Sequence, residues 1–195
     1  YSYDAGKGTT RDHAKAVEWY KKAANSGHTI AMNNLGLKYL NGLGVEQDYQ
    51  KAFMWFEKAV SKGYKSAHGN IGYCYEFGRY VAIDYAKAFE NYKLAADNGD
   101  DYSMNKLGYF YEQGKGVAAN SALSFKWFLE SAKNGNKDSQ FKTGRFYELG
   151  KGVSKDQKQA NYWYEKAVSQ GHALAMNNLG YNYQFGLGVE KDLKK

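Results

Sequence analysis

The chain has 195 residues, 43% of them hydrophobic and 24% charged, a balance that excludes an intrinsically disordered segment. No apolar run approaches the ~20 residues of a membrane span. The single cysteine, Cys74, excludes an intramolecular disulfide and a thiolate metal cluster. The net charge of +7 comes from lysines scattered along the whole length, so it reads as a solvated surface before it reads as a nucleic-acid patch. The lack of disulfides and of any Asn-x-Ser/Thr acceptor leans towards a cytoplasmic location, with the endoplasmic-reticulum lumen or secretion left open.

Self-similarity then settles the organisation. A partial copy, 1–30, carries Tyr3, Gly6, Asp12, Trp19 and Gly27, and these return in a 36-residue register, the aspartate replaced by Asn120 and the tryptophan by Asn91 in one copy each. Full copies follow at 31–66, 67–102, 103–138 and 139–174, and a partial copy closes the chain at 175–195. Gly36, Gly72, Gly108, Gly144 and Gly180 share one position, and all four tryptophans (Trp19, Trp55, Trp127, Trp163) share another. Each copy predicts two helices. In the first full copy, Ala31, Leu35 and Tyr39 make the apolar stripe of a first helix of about 11 residues. Gly42-Leu43-Gly44-Val45 breaks it. Asp48 then stands at the N-cap of a second helix with a stripe of Ala52, Trp55, Phe56, Ala59 and Val60, ended by Gly63. Asp12, Asp84, Asn120, Asp156 and Asp192 are the equivalent caps. A glycine in mid-helix costs roughly 1 kcal/mol against alanine, so the Gly36 series predicts backbone-to-backbone packing of the two helices. Trp55 and Tyr39 are then expected to fill the space between one pair and the next.

Two copies depart from the pattern. In 67–102, Tyr80 stands for a glycine and Asn91 for the tryptophan, which predicts a different turn path and the weakest packing of the stack. In 103–138, Ser124 replaces the usual alanine, a milder change. The chain opens at the tail of a first helix and stops at Lys195 inside a second, so the natural protein is expected to continue beyond one or both ends.

The run Ala31-Met32-Asn33-Asn34-Leu35-Gly36-Leu37-Lys38-Tyr39 through Asp48, Ala52, Trp55, Ala59 and Gly63 resembles the Sel-one-like repeat (SLR), a longer relative of the tetratricopeptide repeat. The resemblance covers essentially the whole chain. It implies an all-α, right-handed α/α solenoid (superhelix) of 36-residue helix-turn-helix repeats, 1–195 as one array, acting as an adaptor or scaffold in protein complexes. By the geometry of the related fold, first helices line the concave side. That places Asn33, Gly69, Asn105, Phe141 and Asn177 on it, then Asn34, Asn70, Lys106, Lys142 and Asn178, and then Leu37, Tyr73, Tyr109, Arg145 and Tyr181. Asparagine amides can pair with an extended peptide backbone. Lys106, Lys142 and Arg145 can engage an acidic group, and the tyrosines offer rigid contact area. The same asparagines could instead bond a neighbouring helix or loop.

No catalytic constellation, metal site or cofactor site emerges, and the expectation is a non-enzyme. His13, His28, His68 and His172 read as surface or loop histidines. Cys74, without a nearby histidine in sequence, reads as a small buried hydrophobe. Gly114-Lys115-Gly116 and Gly150-Lys151-Gly152 lack the strand-loop-helix setting of a phosphate cradle. Bacterial relatives linked to β-lactam chemistry are cysteine-rich, and this chain is not. The expected partner is a protein or peptide segment, or other domains of the same chain, with no membrane role and nucleic acid ranked last. The alternative is a non-catalytic targeting arm of a larger signalling enzyme such as a kinase.

Overall fold

The computed structural model describes Asp4 and residues 12–189, so Tyr3, Gly6 and the cap expected at Asp192 lie outside the described residues. Residues 12–189 form ten α-helices: α1 His13–Asn25, α2 Thr29–Asn41, α3 Tyr49–Ser61, α4 His68–Phe77, α5 Tyr85–Ala96, α6 Asp101–Gln113, α7 Ser121–Lys133, α8 Lys137–Leu149, α9 Gln157–Val168 and α10 Ala173–Phe185. No strand occurs among them. A 3-10 turn, Lys65–Ala67, leads into α4. The fold is an all-α helical repeat solenoid, and it divides into two compact units, 1–100 and 101–195. Within each unit every helix packs on its neighbours in sequence, most extensively where the two helices belong to one copy.

The caps fall where the sequence puts them. Asp12, Asp48, Asp84, Asn120 and Asp156 each accept a hydrogen bond from the backbone amide three residues on, at 2.9–3.0 Å. Each such cap stabilises its helix by about 1 kcal/mol. First helices run to 13 residues in α2, α6, α8 and α10, and α2, α4, α8 and α10 end on a left-handed glycine.

The mid-helix glycine serves a ring more than a backbone. A Cβ at Gly36 would lie 2.5 Å from Phe56 Cε1, and only then 3.1 Å from the Ala52 carbonyl oxygen. Gly108 meets Phe128 and Gly144 meets Tyr164 in the same way, at 2.6 and 2.7 Å. The deepest aromatic of each copy is therefore the residue after the tryptophan position: Phe56, Tyr92, Phe128 and Tyr164 are fully buried, while Trp55 is half-buried. A second pattern follows from the ring's chemistry. Where it is tyrosine, its hydroxyl donates to a carboxylate 16 residues earlier: Tyr20 to Asp4 at 3.2 Å, Tyr92 to Glu76 at 2.6 Å, Tyr164 to Glu148 at 3.0 Å. Opposite Phe56 the same position is Leu40, which needs no donor. Opposite Phe128 it is Glu112, whose carboxylate is taken instead by Lys142 and Lys151.

The turn at Tyr80 keeps the common path, contrary to expectation. Tyr80 has φ +71°, beside +79° at Gly44, +64° at Gly116 and +68° at Gly152, and it is the one non-glycine residue with positive φ among those described. The strain is held at an exposed side chain whose ring meets Phe53 at 5.7 Å. Ser124 is accommodated differently: its buried hydroxyl donates to the Gly108 carbonyl at 2.8 Å.

Candidate functional site

The expected partner-binding residues all lie on first helices, and several are already bonded within their own unit. In the first unit, Asn70 Nδ2 donates to Asn33 Oδ1 at 2.7 Å, joining consecutive first helices α2 and α4. Asn34 lines a small cavity with Asp4, Leu37 and Lys38. Gly69 is buried. Tyr73 is half-exposed and its ring meets that of Phe77, one helical turn on, with centroids 4.6 Å apart and planes tilted by 41°.

In the second unit, Asn105 Nδ2 donates to Ser139 Oγ at 2.7 Å. That hydroxyl donates to Ser131 Oγ at 2.8 Å, and Ser131 to Asp101 Oδ1 at 2.7 Å, a polar relay inside the packing. Asn178 Nδ2 donates to the Tyr164 hydroxyl at 3.2 Å. Burial pushes that phenol upward in pKa, Asn178 opposes the shift, and the Glu148 charge adds to it. Asn177 is exposed. Phe141 stacks on His172 at 4.6 Å.

The basic residues are engaged as well. Lys142 donates to Glu112 Oε2 at 2.9 Å and lies over the rings of Tyr109 and Phe128 at 4.8 and 5.7 Å. Lys151 reaches the other oxygen of Glu112 at 3.3 Å. Burial works to raise the Glu112 pKa, but the hydrogen bonds and charges of the two lysines outweigh it and hold the carboxyl below its ordinary value. Arg145 lies 3.4 Å from Glu148, and Lys106 lies over Tyr102 at 5.4 Å. Tyr109 sits edge-on to Phe128 at 5.0 Å. Tyr181 meets Phe185 at 4.6 Å with the ring planes tilted by 46°.

Phe77 and Phe185, absent from the sequence-based set, are 44% and 54% exposed, and Tyr181 is 55% exposed. Their i,i+4 spacing to Tyr73 and Tyr181 was the available signal, since residues four apart share a helix face.

The histidines and the cysteine divide. His28 is exposed. His172 is no bland loop residue: its Nδ1 accepts the Ala175 amide at 3.2 Å and caps α10, while Nε2 lies 3.4 Å from Asp138. His13 Nδ1 lies 3.0 Å from Asp4 Oδ1, and the buried Lys38 bonds the same carboxylate oxygen. Cys74 is fully buried, and burial pushes its thiol up to about 12. No group of three or more His, Cys, Asp or Glu side chains suited to a metal occurs among the described residues. No helix among them is long and apolar enough to cross a membrane.

The Sel1 repeat model matches six times in succession, at 1–28, 29–64, 65–100, 101–136, 137–172 and 173–195. The chain belongs to the Sel1 repeat family. The matched copies begin two residues ahead of the 31–66 frame and keep its 36-residue period. Among solved structures, a Sel1 repeat protein from Oxalobacter formigenes is 36% identical with a TM-score of 0.90, over 100% of this chain and 80% of that one. A protective antigen present in uropathogenic Escherichia coli strains, displaying an SLR fold, is also 36% identical with a TM-score of 0.88. It is matched over 98% of this chain, which spans 41% of the antigen's length. The cysteine rich protein B of Helicobacter pylori is 28% identical with a TM-score of 0.52, over 66% of this chain and 92% of that one. No curated protein matches the chain. Sel1 repeat proteins are generally protein-interaction scaffolds and typically non-catalytic.

Proposed function

We propose that this Sel1 repeat chain is a protein-interaction module that holds partner segments on the exposed face of its first helices. The observation that carries the reading is the recurrence of a tilted aromatic pair at one repeat position, half-exposed Tyr73 with exposed Phe77 in the first unit and exposed Tyr181 with exposed Phe185 in the second. Rings left in water forgo about 25 cal/mol for each Å² they could bury, and aromatic anchors of this kind concentrate binding energy at interfaces. Leu37 and Tyr109 occupy the same position as Tyr73 and Tyr181 and extend the apolar contact within their own units.

Polar side chains around the rings supply orientation. Asn34 and Asn177 offer amides to a bound backbone, and Asn33, Asn70, Asn105 and Asn178 act first as struts between helices. A carboxylate on the partner competes with Glu112 for Lys142 and with Glu148 for Arg145, so acidic segments bind by exchange of ion pairs. Lys106 adds a further cation.

A peptide-display selection on the whole chain tests this, run beside Tyr73→Ala/Phe77→Ala and Tyr181→Ala/Phe185→Ala variants of unchanged helicity. A consensus that one or both variants lose supports the first-helix face. The same consensus from all three proteins, or none from any, counts against it.

A further inference from the structure

The copy at 65–100 departs from its neighbours at two positions that meet in space. Position 91 is Asn where the other second helices carry Trp19, Trp55, Trp127 and Trp163. Position 68 is His where Met32, Met104 and Met176 stand in other copies. Trp55 packs against a cluster that includes Val17, Ala24, Met32, Leu35 and Tyr39. Adding 36 to each number gives Phe53, Val60, His68, Ile71 and Tyr75. These residues, with Asn91, line a cavity of about 350 Å³ in the first unit. The cavity is the place an indole occupies one repeat earlier, with its apolar walls retained. Its volume falls at the lower end of the range for small-molecule sites, ~300–1,000 Å³.

The two substituted residues also give it a directional polar wall. Asn91 Nδ2 donates to the Lys87 carbonyl at 2.9 Å, which turns Oδ1 towards His68. His68 Nδ1 lies 2.8 Å from that oxygen and donates to it. The neutral ring then carries its lone pair on Nε2, an acceptor with no protein partner among the described residues. Glu57, also on the lining, adds a carboxylate at the rim. Simple loss of the tryptophan would leave an apolar gap; this copy has an apolar gap with one hydrogen-bond acceptor fixed beside it.

We propose that this cavity is a binding site for an indole ring, which refills the vacated tryptophan position and donates its N–H to His68 Nε2. The ring arrives either as a free small molecule or as a tryptophan side chain of a partner. This site is separate from the first-helix face and stands or falls independently of it.

The chain has three isoleucines, and Ile71 alone lines the cavity, so its methyl resonances report occupancy. Indole, N-methylindole and N-acetyl-tryptophanamide are titrated into the whole chain while those resonances are followed. Saturable shifts with indole, and binding of N-methylindole weaker by about five- to tenfold for loss of one hydrogen bond, are expected. His68→Met should erase that preference, and Asn91→Trp should abolish binding by filling the site. Tighter binding of the tryptophan amide than of indole assigns the site to a partner's side chain; the reverse assigns it to a small molecule. Unmoved Ile71 methyls at the solubility limit of indole, equal affinity for the N-methylated ring, or undiminished binding to Asn91→Trp would overturn the proposal.

Discussion

The copies at 65–100 and 137–172 have the same length, the same aspartate cap on the second helix and the same glycine-ring contact, yet they solve two local problems in opposite ways. In the later copy, Gly152 takes φ +68° with no side chain to place, and Trp163 is buried to 9% exposure. In the earlier one, Tyr80 adopts the same φ at a steric cost, and Asn91 leaves the tryptophan position open. The turn geometry is thus imposed by the helices it joins rather than by the residue at its tip. The packing position is less strictly held, because a vacancy there costs stability without changing where the helices run.

Exchanging residues between these copies tests that account, and the largest effect belongs to the tryptophan. Trp163→Asn removes a buried ring and should destabilise the second unit by about 3–5 kcal/mol in chemical denaturation. Gly152→Tyr comes next, at about 3 kcal/mol from left-handed strain and overpacking together, because a Cβ there would lie 2.2 Å from the Ser121 carbonyl oxygen. Tyr80→Gly should stay within about 1 kcal/mol of the parent, since relieved strain offsets the lost Phe53 contact. Asn91→Trp combined with His68→Met restores the arrangement around Trp55 and should stabilise the first unit by about 1–2 kcal/mol.

Acid supplies a further test. Glu112 has its carboxyl held below the ordinary 4.5 by Lys142 and Lys151, against the pull of burial. A depressed folded pKa contributes stability that is fully present above the unfolded value and is lost as pH falls through the folded one. Stability from this group is therefore expected to be lost as pH falls below the ordinary 4.5, read as the difference in denaturation midpoint between the parent and Glu112→Gln across pH 3–6. Equal acid sensitivity in the two proteins would remove the ion pair from the account.

Periodicity, helix pairing and caps were readable in the sequence because each rests on residue identity at a fixed spacing. Asp48 and its described equivalents stand where a helix begins, and the recurring glycines mark a close approach or a left-handed turn at every described copy except Gly180, where a Cβ would meet nothing within 4 Å. What the glycine approaches was not readable. Trp55 and Phe56 are adjacent and both aromatic, and a one-residue rotation of the helix decides which is deepest. The asparagine partners were hidden for a related reason. Asn33 and Asn70 lie 37 residues apart, so their contact depends on the offset between successive first helices, which no single-helix pattern contains. The pairing of His68 with Asn91 spans two helices of one copy in the same way.

The central claim is that first-helix aromatics bind a partner segment. Its most direct test is the affinity of the selected consensus peptide for the parent chain and for the Tyr181→Ala/Phe185→Ala and Tyr73→Ala/Phe77→Ala variants, measured by calorimetry. The account predicts at least a tenfold loss in one variant, the equivalent of about 1.4 kcal/mol from truncated anchors. Parent-like affinity in both variants would contradict it.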